Sequence, residues 1–360
     1  MAERTILVAG ALGVIGRTLI ERCRAAVTGG DIAVIGLGRR PPPPGSDPGE
    51  YRSVDLADPA SCERGLCDLD GVTHLVYAAW QPRPTRREEV APNLAMLRNL
   101  MEVLERAAPR LRHVTLLQGA KAYGSHLGPF RTPARETDPR HMPPNFYYDQ
   151  QDWLATRRRC RDWAWTIFRP TFIYGFATGN PMNLTTVIAV YAAISRELGV
   201  PLRFPGSEAA YRVLNQAVDA NLIARAILWA GESEAARDEV FNITNGDLFR
   251  WAQMWPHIAG LLGMPGAEPQ RIPLVEFMQD KGPVWDAITQ RYGLQPHAFG
   301  EIASWPFGES SLNREYDHIL DTTKLRHAGF LEHEDSYRMF ARHIRMLQER
   351  RIIPPAPAAV

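Results

Sequence analysis

The sequence predicts a doubly wound, parallel α/β sheet with a smaller, mostly helical C-terminal lobe. Three observations carry the expectation. Short apolar runs recur through the first half of the chain and alternate with stretches of helical spacing, the pattern of β-α-β units. The first run, Ile6 to Ala9, opens directly into three glycines spaced three apart and then into a helical pattern. Eight of the nine tryptophans fall from Trp153 onward, a load that a helical lobe can bury beyond the sheet. The expected boundaries are 1–175 for the sheet core and 176–360 for a mixed segment. That segment contributes the last sheet strand and the lid lobe, and does not fold by itself.

Gly10-x-x-Gly13-x-x-Gly16 lies between the first strand and a helix expected from Val14 to Ala26. Gly10 permits the tight turn, Gly13 keeps the approach of a pyrophosphate to the backbone clear, and Gly16 lets the helix pack closely on the strand. The helix N-terminus at Val14 and Ile15 offers unpaired N–H groups and a positive dipole end. This is a Rossmann-type dinucleotide turn. The second strand, Asp31 to Leu37, ends in Gly38-Arg39-Arg40. NAD-selective sites hold the ribose with an acidic side chain roughly 20 residues beyond the glycines. Nothing acidic occurs between Ile32 and Ser46, and Arg39 and Arg40 occupy the place. Paired guanidiniums suit a 2′-phosphate, so NADPH is the expected cofactor.

After a loop from Pro41 to Gly49, a third strand, Tyr51 to Asp55, puts Asp55 and Leu56 where the adenine is bracketed. The fourth strand, Thr73 to Ala79, brings Ala78 to the cofactor edge and Trp80 to the strand's carboxyl end. Ligands of open parallel sheets lie outside those ends, so Trp80 can wall a substrate pocket; simple packing is the competing reading. A helix from Asn93 to Ala107 carries Leu94, Leu97, Met101 and Leu104 on one face. The fifth strand, Arg112 to Leu117, runs into Gln118-Gly-Ala-Lys121-Ala-Tyr123-Gly124. A polar, proline-rich loop spans Pro129 to Pro144, and a helix follows from Asn145 to about Asp162. The sixth strand is Trp165 to Phe168, a helix is expected over Asn183 to Glu197, and the seventh strand is Glu239 to Ile243.

Composition narrows the function classes. The chain is 45% hydrophobic and 22% charged with a formal net charge of +1. That balance gives no electrostatic reason for nucleic acid or an anionic membrane surface. No apolar run is long enough to span a bilayer, and Met-Ala-Glu-Arg leads into the first strand without a signal-peptide pattern. Four cysteines lack CxxC or metal spacing, so reduced thiols, no metal and a cytoplasmic location are expected.

Short-chain dehydrogenases use Tyr-x-x-x-Lys, in which the lysine lowers the tyrosine pKa and holds the nicotinamide ribose. None of the eleven tyrosines has a lysine four residues later; Tyr147 is followed by Gln151 and Tyr148 by Asp152. Either the site is non-catalytic, or its tyrosine is assisted differently. Of 41 basic residues only Lys121, Lys281 and Lys324 are lysines. Lys121, just past the fifth strand, is therefore the candidate for a compact ammonium at the cofactor edge, with chance retention as the alternative.

Several segments then resemble one family, in order along the chain. They are Lys121-x-Tyr123, Asn145-Phe-Tyr147-Tyr148-x-x-x-Asp152, Arg169-Pro170-x-x-Ile173-x-Gly175-Phe176, Met182-Asn183-Leu184, Tyr191-Ala-Ala-Ile194 and Phe241-Asn242-x-Thr244-Asn245-Gly246-Asp247-x-Phe249-x-Trp251. Together they resemble the progesterone 5β-reductase/iridoid synthase-like (PRISE) family of atypical extended short-chain dehydrogenase/reductases. The resemblance implies NADPH-dependent reduction of the C=C bond of α,β-unsaturated carbonyls, with Lys121 and Tyr147 as the active pair. It implies cofactor contacts at Gln118, Lys121, Tyr147, Pro170 and Ile173, and a substrate pocket involving Trp80, Phe130, Tyr148, Phe172 and Met182. The expected partner is a small enone or enal, with a homodimer as the candidate assembly.

The chain departs from the family around the lysine, where plant members resemble T-G-x-K-H-Y and this sequence reads Gln118-Gly-Ala-Lys-Ala122-Tyr. The loop to Gly128-Pro129-Phe130 is longer here and the segment before Asn145 shorter, so neither steroid nor iridoid specificity carries over. Two alternatives stand beside the reductase: an NADP-binding redox sensor without turnover, and a nucleotide-sugar epimerase or dehydratase, which relies on the missing Tyr-x-x-x-Lys.

Overall fold

The structure is a computed structural model and describes residues 3–25, 32–42, 49–177 and 183–357. The expectations for Ala26, Asp31, Met182 and part of the Pro41–Gly49 loop fall outside the described residues. Two compact units divide the chain. The first combines Met1–Thr171, Ala220–Ile243 and Leu320–Glu332; the second combines Phe172–Asp219, Thr244–Ile319 and His333–Val360.

The first unit is built on a seven-stranded parallel sheet. Its first six strands in chain order are β1 (Arg4–Ala9), β2 (Ile32–Gly38), β3 (Glu50–Ser53), β4 (His74–Tyr77), β5 (His113–Leu117) and β6 (Ala164–Pro170). The seventh is Glu239–Ile243, and the spatial order runs from it through β6, β5, β4, β1 and β2 to β3. The order reverses between β1 and β4, the switch point beside which such sheets bind ligands. Central strands are mainly apolar and buried on both faces: β4 is buried along its whole length and β6 likewise. Burial on both faces is why such strands are rich in hydrophobic residues rather than alternating. Helices α1 (Val14–Ala25), α2 (Pro59–Gly65), α3 (Arg86–Ala107) and α4 (Phe146–Arg158) flank the sheet.

Some element bounds differ from expectation for identifiable reasons. Helix α3 begins at Arg86 rather than Asn93. Thr85 caps it by accepting from the Glu88 N–H, and its hydroxyl donates to the Glu88 carboxylate, an N-cap of a favoured residue type. The first turns are charged and contain Pro92, so apolar periodicity does not reveal them. Helix α4 stops at Arg158, short of Asp162. Strand β3 ends at Ser53, because the Asp55 carboxylate turns the chain by accepting from the Ala57 N–H at 3.0 Å.

The second unit is mostly helical, with two small strand pairs, Phe172–Tyr174 with Ala217–Asp219 and Leu202–Arg203 with Gly266–Ala267. Its core is aromatic: Phe204 packs edge-on against Trp255, Phe249 against Trp251, and Tyr174 against Phe340, with centroids 5.2, 5.2 and 4.8 Å apart. No helix among the described residues is long and apolar enough to cross a membrane.

Candidate active site

The glycine turn after β1 shows why its residues must lack side chains. Gly10 sits at φ +87°, and a Cβ there would stand 2.7 Å from the Ala78 carbonyl oxygen at the end of β4. A Cβ at Gly16 would collide with the Gly10 carbonyl. The Gly10 and Ala11 N–H groups both donate to the Leu37 carbonyl at 3.0 Å, which fastens the turn to the end of β2. Val14 and Ile15 are buried at the start of α1, so only their backbone can serve a ligand. Beyond β2, Tyr51 donates to the Arg40 carbonyl at 2.6 Å and its ring covers Gly38. Arg39 and Arg40 are exposed, and no carboxylate among the described residues pairs with either. Two uncommitted guanidiniums beside a backbone cradle fit a phosphate-bearing dinucleotide. Leu56 is buried, and its carbonyl accepts from Asn99 at 2.9 Å.

The reactive candidates gather at the carboxyl ends of β4, β5 and β6. Lys121 lies in a single 3₁₀ turn, Ala120–Tyr123, that follows β5 and closes on Gly124 in the left-handed region. Its Nζ is 5.9 Å from the Trp80 ring centroid, within cation–π range. Trp80 is thus a neighbour of the ammonium at the end of β4. Tyr147 occupies the first turn of α4. A methyl group at Gly119 would stand 3.5 Å from the Tyr147 hydroxyl and 3.6 Å from the Pro170 carbonyl, so the hydroxyl lies where β5 and β6 end. Phe146 supports the ring from the side, with centroids 4.6 Å apart.

One side chain ties these two segments together. Asn145 caps α4 by accepting from the Tyr147 N–H at 3.1 Å, and its amide donates to the Lys121 carbonyl at 3.0 Å. His141 Nε2 stands 3.1 Å from the same carbonyl. The preceding Pro143-Pro144 disfavours helix before this point, and asparagine is among the best N-caps. The sequence placed Asn145 in a motif without showing this double role, because its partner is 24 residues distant.

Tyr147 and Tyr148 are separated by their hydroxyls. The Tyr148 hydroxyl donates to the Ala122 carbonyl at 2.7 Å and accepts from the His141 N–H at 3.1 Å. It is committed to structure. Among the described residues nothing bonds the Tyr147 hydroxyl. Burial, with the Glu89 carboxylate adding to it and the Arg86 and Arg169 charges opposing, pushes the Tyr147 phenol up to about 12. It therefore carries its proton throughout the neutral range and is able to donate it in a hydrogen bond.

Gln118 follows β5 and is buried. Its amide donates to the Tyr147 carbonyl at 2.9 Å, and its oxygen accepts from Arg169 Nε at 3.0 Å. Phe130 packs in a small cluster with Ala120, Tyr123, Ala134 and Leu320. Phe172 and Ile173 belong to the second unit, where Arg314 lies 4.8 Å above the Phe172 ring and Ile173 pairs in register with Val218.

Over residues 57–354 the sequence matches the family model described as a PRISE-like Rossmann-fold domain. The chain belongs to the PRISE family. Among curated PRISE-type relatives, an (S)-8-oxocitronellyl enol synthase of Nepeta cataria is 34% identical over 98% of this chain and 94% of its own length. A 3-oxo-Δ(4,5)-steroid 5-β-reductase of Arabidopsis thaliana is 34% identical with the same coverage. Solved structures share the fold at lower identity. A UDP-glucose 4-epimerase from Thermotoga maritima superposes with a TM-score of 0.65 at 17% identity, over 96% of this chain and 99% of that one. A short-chain dehydrogenase/reductase superfamily protein from Agrobacterium tumefaciens with bound NAD gives 0.64 at 17%, over 97% and 100%. The PRISE chain is thus an enzyme of the extended short-chain dehydrogenase/reductase type.

Proposed function

We propose that the chain is an NADPH-dependent reductase of α,β-unsaturated carbonyl compounds, with Tyr147 and Lys121 as its reactive pair. The observation that carries this is the division of labour in Asn145-Phe-Tyr147-Tyr148: one phenol is tied to the backbone, and the other, at the carboxyl edge of the sheet, has no bonding partner among the described residues. The glycine turn, Arg39 and Arg40 fit the cofactor's phosphates. When bound, NADPH supplies the hydride that reaches the β-carbon of the enone.

Negative charge then develops on the carbonyl oxygen. A neutral phenol donates to that oxygen most strongly in the enolate-like transition state, which is where binding energy accelerates a reaction. The raised pKa of Tyr147 matches that task. It would defeat a tyrosine that had to ionise, as the Tyr-x-x-x-Lys arrangement requires. Lys121, steadied on Trp80, orients the ribose and adds positive potential at the same edge. Gln118 and Asn145 act through Tyr147 and Lys121 and need not touch substrate.

A panel of enones and enals, read as NADPH oxidation with the product identified, tests the assignment. Saturated carbonyl products are expected. Allylic alcohols as the sole products, or tight NADPH binding with no turnover of any member, would overturn it.

A further inference from the structure

Four residues after Tyr147, where Tyr-x-x-x-Lys enzymes keep their lysine, stands Gln151. Its side-chain oxygen accepts from Arg169 Nη2 at 2.9 Å. Arg169 comes from β6 and is 5% exposed. Its Nε donates to Gln118 at 3.0 Å and its Nη1 to the Tyr123 hydroxyl at 3.2 Å. Gln118 passes the connection on, donating to the Tyr147 carbonyl at 2.9 Å. The Tyr123 hydroxyl in turn donates to Asn242 at 2.6 Å.

Every one of these acceptors is neutral, and no carboxylate among the described residues forms an ion pair with Arg169. A buried cation without a counter-ion is costly, and well-packed apolar residues would commonly serve stability as well. The charge is also not cancelled locally, so its potential extends to its surroundings. Arg169 is one of the two cations that oppose the upward shift of the Tyr147 phenol.

We propose that Arg169, with Gln118 and Gln151 as its arms, is a bracket that positions Tyr147. It grips α4 at two points, the Tyr147 carbonyl through Gln118 and the Gln151 side chain one turn on. That fixes where the phenol points and sets positive potential behind it. The proposal rests on Tyr147 being the donor to the substrate oxygen.

Gln118→Glu tests it in the full-length enzyme with NADPH and whichever enone the panel identifies. Glutamate keeps the volume and the acceptor for Arg169, but it loses the donor to Tyr147 and neutralises the guanidinium. A kcat loss of roughly ten- to hundredfold is expected, the scale of an Å-level misplacement. KM for the enone should stay within about threefold, since ground-state binding of the carbonyl is not involved. In a Tyr147→Phe background the same substitution should change the residual rate less than about twofold, because residues acting through one group are non-additive.

An equal fold-loss in both backgrounds, or no loss of kcat in the native one, would overturn the bracket while leaving the tyrosine assignment standing. If Tyr147→Phe alone leaves kcat intact, the tyrosine assignment itself fails and the bracket with it. Should Gln118→Glu not accumulate as folded protein, Gln118→Met, which also removes the donor, carries the same comparison.

Discussion

Replacing Tyr147 by phenylalanine should separate chemistry from folding more cleanly than any other change in this chain. The ring is held edge-on by Phe146 at 4.6 Å, and phenylalanine preserves that contact. No group among the described residues bonds the hydroxyl, so its removal orphans no internal partner and should leave the thermal midpoint nearly unchanged. What is lost is one donor aimed at the developing oxyanion, which typically contributes about 3 kcal/mol, or two to three powers of ten in rate. The loss should appear in kcat, with KM changing much less, because the ground-state carbonyl carries little charge. Steady-state NADPH oxidation and a fluorescence titration of NADPH binding measure the two halves. Tyr148→Phe is the internal control with the opposite signature. It leaves the Ala122 carbonyl and the His141 N–H without their partner, costing about 1–3 kcal/mol of stability, while turnover of the folded fraction stays near the native value. A Tyr147→Phe enzyme within about threefold of native kcat would refute the donor role. Loss of turnover in Tyr148→Phe alone would move that role to Tyr148.

Three further outcomes are expected. The native chain should bind NADPH much more tightly than NADH, and Arg39→Ala with Arg40→Ala should remove most of the preference, each charged bond to phosphate contributing about 1.5–3 kcal/mol; equal affinity for the two cofactors in the native chain would refute this. Lys121→Met should lower kcat and weaken NADPH binding together, measured by the same titration, because the ammonium is assigned to ribose and oxyanion alike. Burial holds His113 and His318 down at about 3, so both are neutral in the fold while an unfolded chain protonates near 6.5. Their stabilising effect is complete above pH 6.5 and lost as pH falls from there toward 3, each at about 1.4 kcal/mol per pH unit; a thermal midpoint that stays level from pH 7 to 4 would contradict it.

The sheet was legible because its central strands are buried on both faces and so appear as apolar runs, and because the glycine turn has a steric reason at Gly10 and Gly16. The start of α3 was not, since Thr85 to Pro92 is capped and charged rather than periodic. Neither were the strand pairs of two or three residues in the second unit, which are too short to leave an alternating pattern. Lys121 could be singled out by its rarity and Tyr147 by the family resemblance. The bonds from the Tyr148 hydroxyl to Ala122 and His141 were not legible, because adjacent tyrosines look alike in a sequence. The Gln118, Gln151 and Arg169 contacts join β5, β6 and α4, and no local spacing encodes a contact made across three elements.

Where a tyrosine and a lysine share one helix, the helical repeat fixes their separation, and nothing can be inserted between them. Here they sit on separate segments, and the two bonds of Asn145 perform the job of that repeat. Apart from His141, which also reaches the Lys121 carbonyl, the chain between Gly124 and Pro144 is thereby relieved of holding the pair in place. It can lengthen, shorten or change composition while the reactive groups keep their spacing. It carries Met142 almost fully exposed at 86%. An enzyme fastened in this way can change what it accepts without rebuilding how it reacts.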